Sequence, residues 1–189
     1  IMLIGEAPGA TEESVGEPFR GPAGRLLDKL LLQAELSRED CFITNRSKFR
    51  PTNNKFDTLY NTVETVELKK DGTPKKRTKK KRVPSPKLVA SEKELLQEIK
   101  EVKPNVIVPL GETALNFFGK FGITKWRGSV LLIDGTKVIP TFHPSYIRRG
   151  NWDMWRVCVS DLTKAKEESK TKEHNPTYRV LRIKPAKKL

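Results

Sequence analysis

The first residues of the chain predict a buried strand that ends in a loop suited to ligand binding. Residues 1–4 are all apolar, and the loop that follows is rich in glycine and proline and carries carboxylates at Glu6, Glu12 and Glu13. A helix is predicted over residues 25–34, with four leucines on one face. In open α/β sheets, ligands bind just beyond the carboxyl ends of the strands. We therefore expect chemistry at the loop after residue 4.

The same design recurs downstream, where an apolar strand leads into a polar, proline-held loop that contains His143. Strands and helices alternate between these two points. The predicted strands lie at 41–45, 105–110, 129–133 and 137–140, and the predicted helices at 91–102, 114–118 and 153–166. Ser91, with Glu94 three residues later, is typical of a capping box. The alternation predicts a mainly parallel sheet covered by helices on both faces.

Residues 55–86 are predicted to form a β-hairpin with a cationic tip. Two segments with strand character, 59–68 and 75–83, flank an Asp-Gly pair at 71–72, which is a strong hairpin signal. Residues 69–82 hold nine Lys/Arg and one Asp, a net charge of +8. The alternative is a disordered basic loop.

The charge of the whole chain favours a polyanionic partner. The 189 residues carry a formal net charge of +14, and nucleic acid is the commonest partner for such a balance. The two cysteines, Cys41 and Cys158, fit no metal spacing and are typical of reduced thiols in an intracellular protein. No apolar run approaches a membrane span, so no membrane partner is expected. The chain begins inside a strand, and we expect a further segment to precede Ile1.

Six blocks of the sequence resemble, in order, those of the family-4 type uracil-DNA glycosylases. They are GEAPG at 5–9, PFRGPAG at 18–24, ITN at 43–45, KFRP at 48–51, KPNVIVPLG at 103–111 and HPSY at 143–146. The resemblance covers most of residues 1–160. It implies an α/β fold, a three-layer sandwich with a central, mainly parallel four-stranded sheet. Residues 1–189 are then a single domain, 55–86 an inserted basic β-hairpin and 170–189 a basic C-terminal tail.

The resemblance also implies a reaction, the hydrolysis of the bond between uracil and deoxyribose in single- or double-stranded DNA. The base must first be turned out of the stack. His143 matches the histidine that donates to uracil O2 as the base leaves as an anion, in a neutral or a cationic form. Asn45 matches the asparagine that pairs with O4 and N3–H, and Phe19 the aromatic ring on which uracil stacks. The simpler interpretations are a structural histidine, a turn asparagine and a core phenylalanine.

The resemblance offers two carboxylates near the attacking water, although a reaction with a well-stabilised leaving group needs little help from a base. Ala7 stands where other branches of the superfamily carry an Asp, so we expect Glu12 to position the water. Glu6 is the second catalytic candidate, with a role in structuring the loop as the alternative. The remaining positions implied to contact uracil shape the same loop, and they are Gly5, Ala7, Pro8 and Gly9.

Further positions are implied to contact DNA without reading its sequence. Ile147 lies where related enzymes place an apolar wedge that enters the vacated stack. Ser145, Arg148 and Arg149 follow the histidine and are expected to grip phosphates. The hairpin adds cations that release counterions from DNA, namely Lys75, Lys76, Arg77, Lys79, Lys80, Lys81 and Arg82. A docking arm for a protein partner is the alternative for the hairpin.

The missing cysteines and the hairpin at 55–86, where the family has a short connection, are two departures from the family pattern that leave the function open. Family-4 enzymes typically hold an iron–sulfur cluster on four cysteines, but Phe49 occupies one of these positions and residues 88–95 contain no cysteine. Cluster ligands are thiolates, so we predict no cluster and no other cofactor. With these departures, the chain resembles glycosylase-like modules attached to replication proteins, notably in phages. A replication protein is therefore a candidate partner, or the parent chain to which this domain belongs. The alternatives to an active, monofunctional glycosylase are a weak or inactive DNA-binding scaffold and a glycosylase for another base.

Overall fold

A five-stranded sheet lies at the centre of the structure, a computed structural model that describes residues 1–68, 70 and 73–173. Over this part of the chain the strands are β1 (Met2–Gly5), β2 (Phe42–Asn45), β3 (Tyr60–Leu68), β4 (Pro74–Pro84), β5 (Val106–Pro109), β6 (Leu131–Ile133) and β7 (Thr136–Val138). The helices are α1 (Ala10–Val15), α2 (Pro22–Gln33), α3 (Pro86–Val102), α4 (Glu112–Phe117), α5 (Ile123–Trp126), α6 (Pro144–Arg148) and α7 (Met154–Ser169). Two 3₁₀ turns, Thr52–Asn54 and Phe56–Leu59, lead into β3.

The central sheet has the strand order β2-β1-β5-β7-β6. The first four strands are parallel, and β6 pairs antiparallel with β7 at one edge. The α/β class and the mainly parallel sheet are thus confirmed, but the expected number of four strands is wrong. The fifth strand is present because Asp134 and Gly135 both adopt positive φ, 48° and 77°, and this folds β6 back tightly on β7.

Alternating side chains of the sheet enter two separate cores. Leu3, Val106 and Val108 pack with α2, α6 and α7 on one face. Met2, Ile4 and other residues of the sheet pack with α3 and α4 on the opposite face. Because a strand of a covered parallel sheet is buried on both faces, it is apolar throughout, as β1 and β5 are. Helices therefore cover both faces, in three layers.

Helix α3 begins earlier than the sequence suggested. Ser85 is its N-cap and accepts a hydrogen bond from the Leu88 N–H at 3.3 Å, and Pro86 occupies the first turn. The predicted capping box at Ser91 is therefore wrong. Ser91 is buried inside the helix, where its Oγ accepts from the Lys48 N–H at 3.0 Å and so joins the segment after β2 to α3.

Strands β3 and β4 form a separate antiparallel pair that leaves the body of the protein after the second 3₁₀ turn. Its base is fixed by Arg82, whose guanidinium lies 5.0 Å from the Tyr60 ring centroid and 2.8 Å from Asp57 Oδ1. The predicted turn at 71–72 lies outside the described residues, as do residue 69 and the tail from 174 to 189. That this pair is an insertion relative to the family stays a prediction.

None of the helices in the described part of the chain is both long and apolar enough to cross a membrane.

Candidate functional site

A cavity of about 630 Å³ lies at the carboxyl edge of the sheet. The loops that follow β1, β2, β5 and β7 all contribute to its wall, as expected for a parallel sheet. Phe19, Asn45 and His143, which are far apart in sequence, line this one cavity. The structure therefore brings together the three side chains that the sequence singled out for a flipped base.

Asn45 is the last residue of β2, and it faces the cavity from the strand beside β1. Its partner in the β1–β2 ladder is Gly5. A Cβ at Gly5 would lie 2.3 Å from Asn45 Oδ1 and 2.6 Å from the Phe19 ring, so only glycine fits there. The Asn45 amide makes no hydrogen bond to any residue that the structure describes. Its donor and acceptor are therefore available to a ligand.

Phe19 is held in a strained backbone conformation against the wall of the cavity. Its φ of 55° is unusual for a bulky residue and costs on the order of 1–3 kcal/mol. Arg38 compensates by donating to the carbonyls of Phe19, at 3.1 Å, and Pro18. The ring centroids of Phe19 and His143 lie 5.6 Å apart with 33° between the planes. Phe19 thus offers an aromatic surface next to the imidazole.

His143 is a neutral donor whose tautomer is set by its backbone. As the N-cap of α6, its Nδ1 accepts a hydrogen bond from the Ser145 N–H at 3.1 Å, which leaves the proton on Nε2. Burial, followed by the positive charge of Arg149, lowers the pKa of His143 to about 4. Of the two forms left open by the sequence, the neutral one therefore prevails at pH 7. Gly111, with a φ of 89°, allows the loop to approach, since a Cβ there would lie 2.9 Å from His143 Cβ.

Glu12 is engaged with the backbone of two loops. Its Oε2 accepts from the Gly9 N–H at 3.1 Å, and its Oε1 accepts from the Gly21 N–H at 2.7 Å. The carboxylate joins the loop after β1 to the start of α2, although it also lines the cavity. Both oxygens thus hold the loops in place, and the expected role of Glu12 in positioning the water stays a prediction.

Glu6 is better placed to bind a water. Its Oε2 accepts from Thr113 Oγ1 at 2.6 Å, and its Oε1 has no hydrogen-bond partner among the described residues. The Thr113 carbonyl in turn accepts from Arg46 Nη1 at 2.9 Å. Arg46 is itself buried, paired with Glu92 at 2.7 Å and in contact with the Tyr60 hydroxyl at 3.2 Å. Sequence reasoning missed Thr113 and Arg46, although an arginine directly after a buried strand is a signal.

The remaining predicted residues divide between the lip of the cavity and positions away from it. Those that line the cavity are Ala7, Pro8, Gly9, Ser145, Arg148 and Arg149. Ile147 is 0% exposed and belongs to the core beneath α6, so its expected role as a wedge is wrong. The exposed ring of α6 is instead Tyr146, which stacks on Phe142 with the centroids 5.1 Å apart. Helix α6 has only five residues, so its sequence pattern does not show which of its side chains face the core and which face the solvent.

Three of the hairpin cations named above have side chains that the structure describes, and none of these three lines the cavity. Lys80, Lys81 and Arg82 are exposed. The strand β4 contains Lys75, Lys76, Arg77 and Lys79, but their side chains lie outside the described residues.

The position after Lys48, where the resemblance implies a thiolate ligand, carries no donor atom. Phe49 occupies it, and its ring lies 5.5 Å from Lys87 Nζ beside a groove of about 490 Å³. Burial raises the pKa of Cys41 to about 11 and also raises that of Cys158, so both thiols are protonated at pH 7. The described residues contain no group of three or more His, Cys, Asp or Glu able to hold a metal ion. The donors present do not fit an iron–sulfur cluster.

Comparison with known proteins identifies the family. A profile described as the uracil DNA glycosylase superfamily matches residues 1–163. The chain is 39% identical over 172 residues to the type-4 uracil-DNA glycosylase of Thermotoga maritima, covering 88% of this chain and 76% of that protein. It is 34% identical over 157 residues to the type-4 enzyme of Archaeoglobus fulgidus, covering 78% and 66%.

A further relative is the DNA polymerase of Bacillus phage SP01, 33% identical over 149 residues, which are 78% of this chain and 13% of that protein. The profile match spans the strands, loops and cavity described above. The chain belongs to the uracil DNA glycosylase superfamily.

Proposed function

We propose that this chain is an active, monofunctional uracil-DNA glycosylase that hydrolyses the N-glycosidic bond of flipped-out deoxyuridine. The observation that carries the proposal is the convergence of Phe19, Asn45 and His143 on one cavity. An aromatic surface, a free amide and a neutral imidazole donor are the groups that a flipped uracil requires. The type-4 relatives support the same activity.

The first step of the proposed mechanism is recognition. Uracil stacks against Phe19, and the Asn45 amide donates to O4 and accepts from N3–H. Cytosine presents the opposite donor and acceptor pattern at these atoms and leaves the buried amide mispaired, which is costly. Discrimination thus depends on one side chain.

The second step is bond cleavage. The bond between C1′ and N1 breaks, its electron pair leaves with the base, and negative charge develops on O2. The Nε2–H of His143 donates to O2 and stabilises that charge, which is commonly the largest contribution to catalysis. A water oxygen bonds to C1′ and loses a proton, which the uracil anion gains through solvent, so that the products are neutral uracil and an abasic sugar. We assign the orientation of this water to Glu6 and the bracing of the loops to Glu12.

The DNA outside the cavity is proposed to be held by charge. Ser145, Arg148 and Arg149 contact phosphates at the lip, and the pair β3–β4 grips the backbone through its lysines. The same proposal treats residues 1–189 as one domain, with 55–86 as an inserted basic arm and 170–189 as a basic tail. A DNA substrate implies that the protein acts inside a cell, in the cytoplasm or nucleoid or in the nucleus of the host.

Neither an iron–sulfur cluster nor another cofactor is part of this proposal. The support is chemical, since Phe49 offers no donor and both cysteines favour the neutral thiol. Stoichiometric iron in the purified protein would refute it.

The experiment that tests the function uses single- and double-stranded oligonucleotides with one uracil, followed by alkali. We expect strand cleavage with the wild type, and far less with His143→Ala or Asn45→Ala at the same enzyme concentration and reaction time. Tight binding without an abasic product, at any enzyme excess, would instead support a scaffold. The observation that favours this second candidate, a DNA-binding scaffold that assists replication, is the match to a short part of a phage DNA polymerase.

A further inference from the structure

A second cationic surface lies beside the cavity, on the segment that contains α5. This α5 patch consists of Lys120, Phe121, Lys125 and Trp126. The start of α5 itself lines the cavity, so the patch adjoins the proposed uracil site. None of its four residues belongs to the lip or the hairpin described above.

Two ammonium groups of the patch share one indole ring. Lys120 Nζ lies 5.3 Å and Lys125 Nζ 4.8 Å from the Trp126 ring centroid. Neither lysine has a carboxylate within 4.0 Å among the residues that the structure describes. The neighbouring acid, Glu112, is engaged, since it accepts from the Gly122 and Ile123 N–H groups at 2.9 and 2.6 Å. Both charges therefore lie near one ring without a carboxylate partner, and a bound anion would be attracted to both.

An exposed aromatic ring lies next to these charges. Phe121 is 67% exposed, although a phenylalanine is normally buried. Lysines that contact a backbone, interleaved with aromatic rings that contact bases, are the two components of single-strand binding surfaces. Glu112 holds the turn before α5, so the ring and the lysines are presented on a braced segment.

We propose that the α5 patch binds the DNA strand adjoining the flipped nucleotide, with Lys120 and Lys125 on phosphates and Phe121 against an unpaired base. This inference rests on the proposed function, because DNA must enter the neighbouring cavity. Arg148 and Arg149 at the lip carry the same sign of charge, so one polyanion satisfies both surfaces. An acidic protein segment is the competing occupant.

The test compares two pairs of lysines. Lys120→Gln/Lys125→Gln alters the patch, and Lys93→Gln/Lys100→Gln removes two exposed charges from α3 as a matched control. Affinity for a labelled, uracil-free single strand is measured by fluorescence anisotropy between about 50 and 200 mM salt. We expect the slope of log affinity against log salt to become shallower by about 1.4 in the patch variant, the value for two phosphate contacts on a single strand. The control keeps the wild-type slope, and the excision rate at saturating DNA is unchanged in both.

The aromatic part of the patch has its own test. Phe121→Ala is expected to weaken single-strand affinity by about 5- to 150-fold, the equivalent of one stacked base, and Phe121→Trp to restore it. Melting temperatures of the variants show whether each is folded.

Two results would overturn the inference alone: an unchanged slope in the patch variant, or an equal change in both lysine pairs, in a wild type that binds DNA. If the patch variant kept its affinity for DNA but lost affinity for an acidic peptide, the patch would be assigned to a protein partner. A wild type that neither binds DNA nor releases uracil would overturn the proposed function itself.

Discussion

The cavity and the β3–β4 pair use opposite strategies. In the cavity, each functional side chain is fixed by a specific contact, such as Gly5 beneath Asn45 or the Ser145 N–H on His143. In the pair, most of the side chains that the structure describes are exposed, and Arg82 anchors its base by stacking on Tyr60. The comparison teaches that discrimination requires desolvated, pre-positioned groups, whereas attraction to a polyanion requires only charge.

The two regions also treat charge differently. The chain carries a net +14, yet the donor at the centre of the cavity is an uncharged imidazole. Burial lowers the pKa of His143, and the nearby Arg149 lowers it further. A basic surface that attracts DNA therefore helps to keep the imidazole neutral.

The largest effect is expected from removing the imidazole. His143→Ala should lower the excision rate at saturating DNA by about 10²–10³-fold, the usual cost of losing one donor to a developing anion. DNA affinity should remain near the wild-type value, because the phosphate contacts are intact. Single-turnover rates and binding isotherms of the same preparation measure both quantities.

The pH dependence of stability sharpens the electrostatic half of the comparison. The pKa of His143 is about 4 in the folded protein against 6.5 in the unfolded chain, so the unfolded chain binds the proton more readily. The free energy of unfolding should therefore be unaffected by this group above pH 6.5 and fall as the pH drops towards 4. The full loss is about 3 kcal/mol, at about 1.4 kcal/mol for each pH unit.

Chemical denaturation of the wild type and His143→Gln at pH 7 and pH 4.5 checks this expectation. The difference between the two proteins should shift in favour of the variant at the lower pH. A difference independent of pH would contradict a buried neutral imidazole.

The bracing role of Glu12 predicts a loss of stability. Glu12→Gln leaves one oxygen and turns an NH₂ group towards a backbone N–H, at a cost of about 1–3 kcal/mol. Its neighbour Glu13 is the matched control. Glu13→Gln removes only an exposed ion pair with Arg50 and should cost less than about 1 kcal/mol. Equal melting temperatures for the two variants would argue against the brace.

The smallest expected effect distinguishes two cations of the β3–β4 pair. Lys81 lies opposite Val63 and has no carboxylate partner among the described residues, whereas Arg82 is paired with Asp57. Lys81→Gln should reduce the salt slope for duplex DNA by about 0.9, the value for one phosphate contact, and Arg82→Gln by less. A larger change with Arg82→Gln would mean that its ion pair opens on DNA.

Much of this organisation could be predicted from residue patterns. Continuous apolar runs predicted the buried strands β1 and β5, and the regular spacing of leucines predicted the helix α2. The polar residues that end β1 and β2 marked the correct edge of the sheet. Asn45 and Phe19 were found through the blocks around them, and the structure brings both to one cavity.

The failures share a physical cause, which is that local pattern does not give tertiary contacts. The capping signal at Ser91 was genuine in sequence, but Ser85 and Pro86 begin the helix first. Ile147 lies on a helix too short to show which face is buried. The hydrogen bonds of Glu12 reach a glycine nine residues away, and those of Arg46 reach Tyr60 and Thr113. No periodicity encodes such contacts.

The division of labour between the two regions is tested most directly by one single-turnover experiment. Uracil release is measured over a range of enzyme concentrations for the wild type and for a variant lacking residues 69–82. We expect the same maximal rate for both proteins, with a higher half-saturating concentration and a flatter salt dependence in the shortened protein. A fall in the maximal rate with an unchanged half-saturating concentration would contradict it, because the chemistry would then depend on the arm.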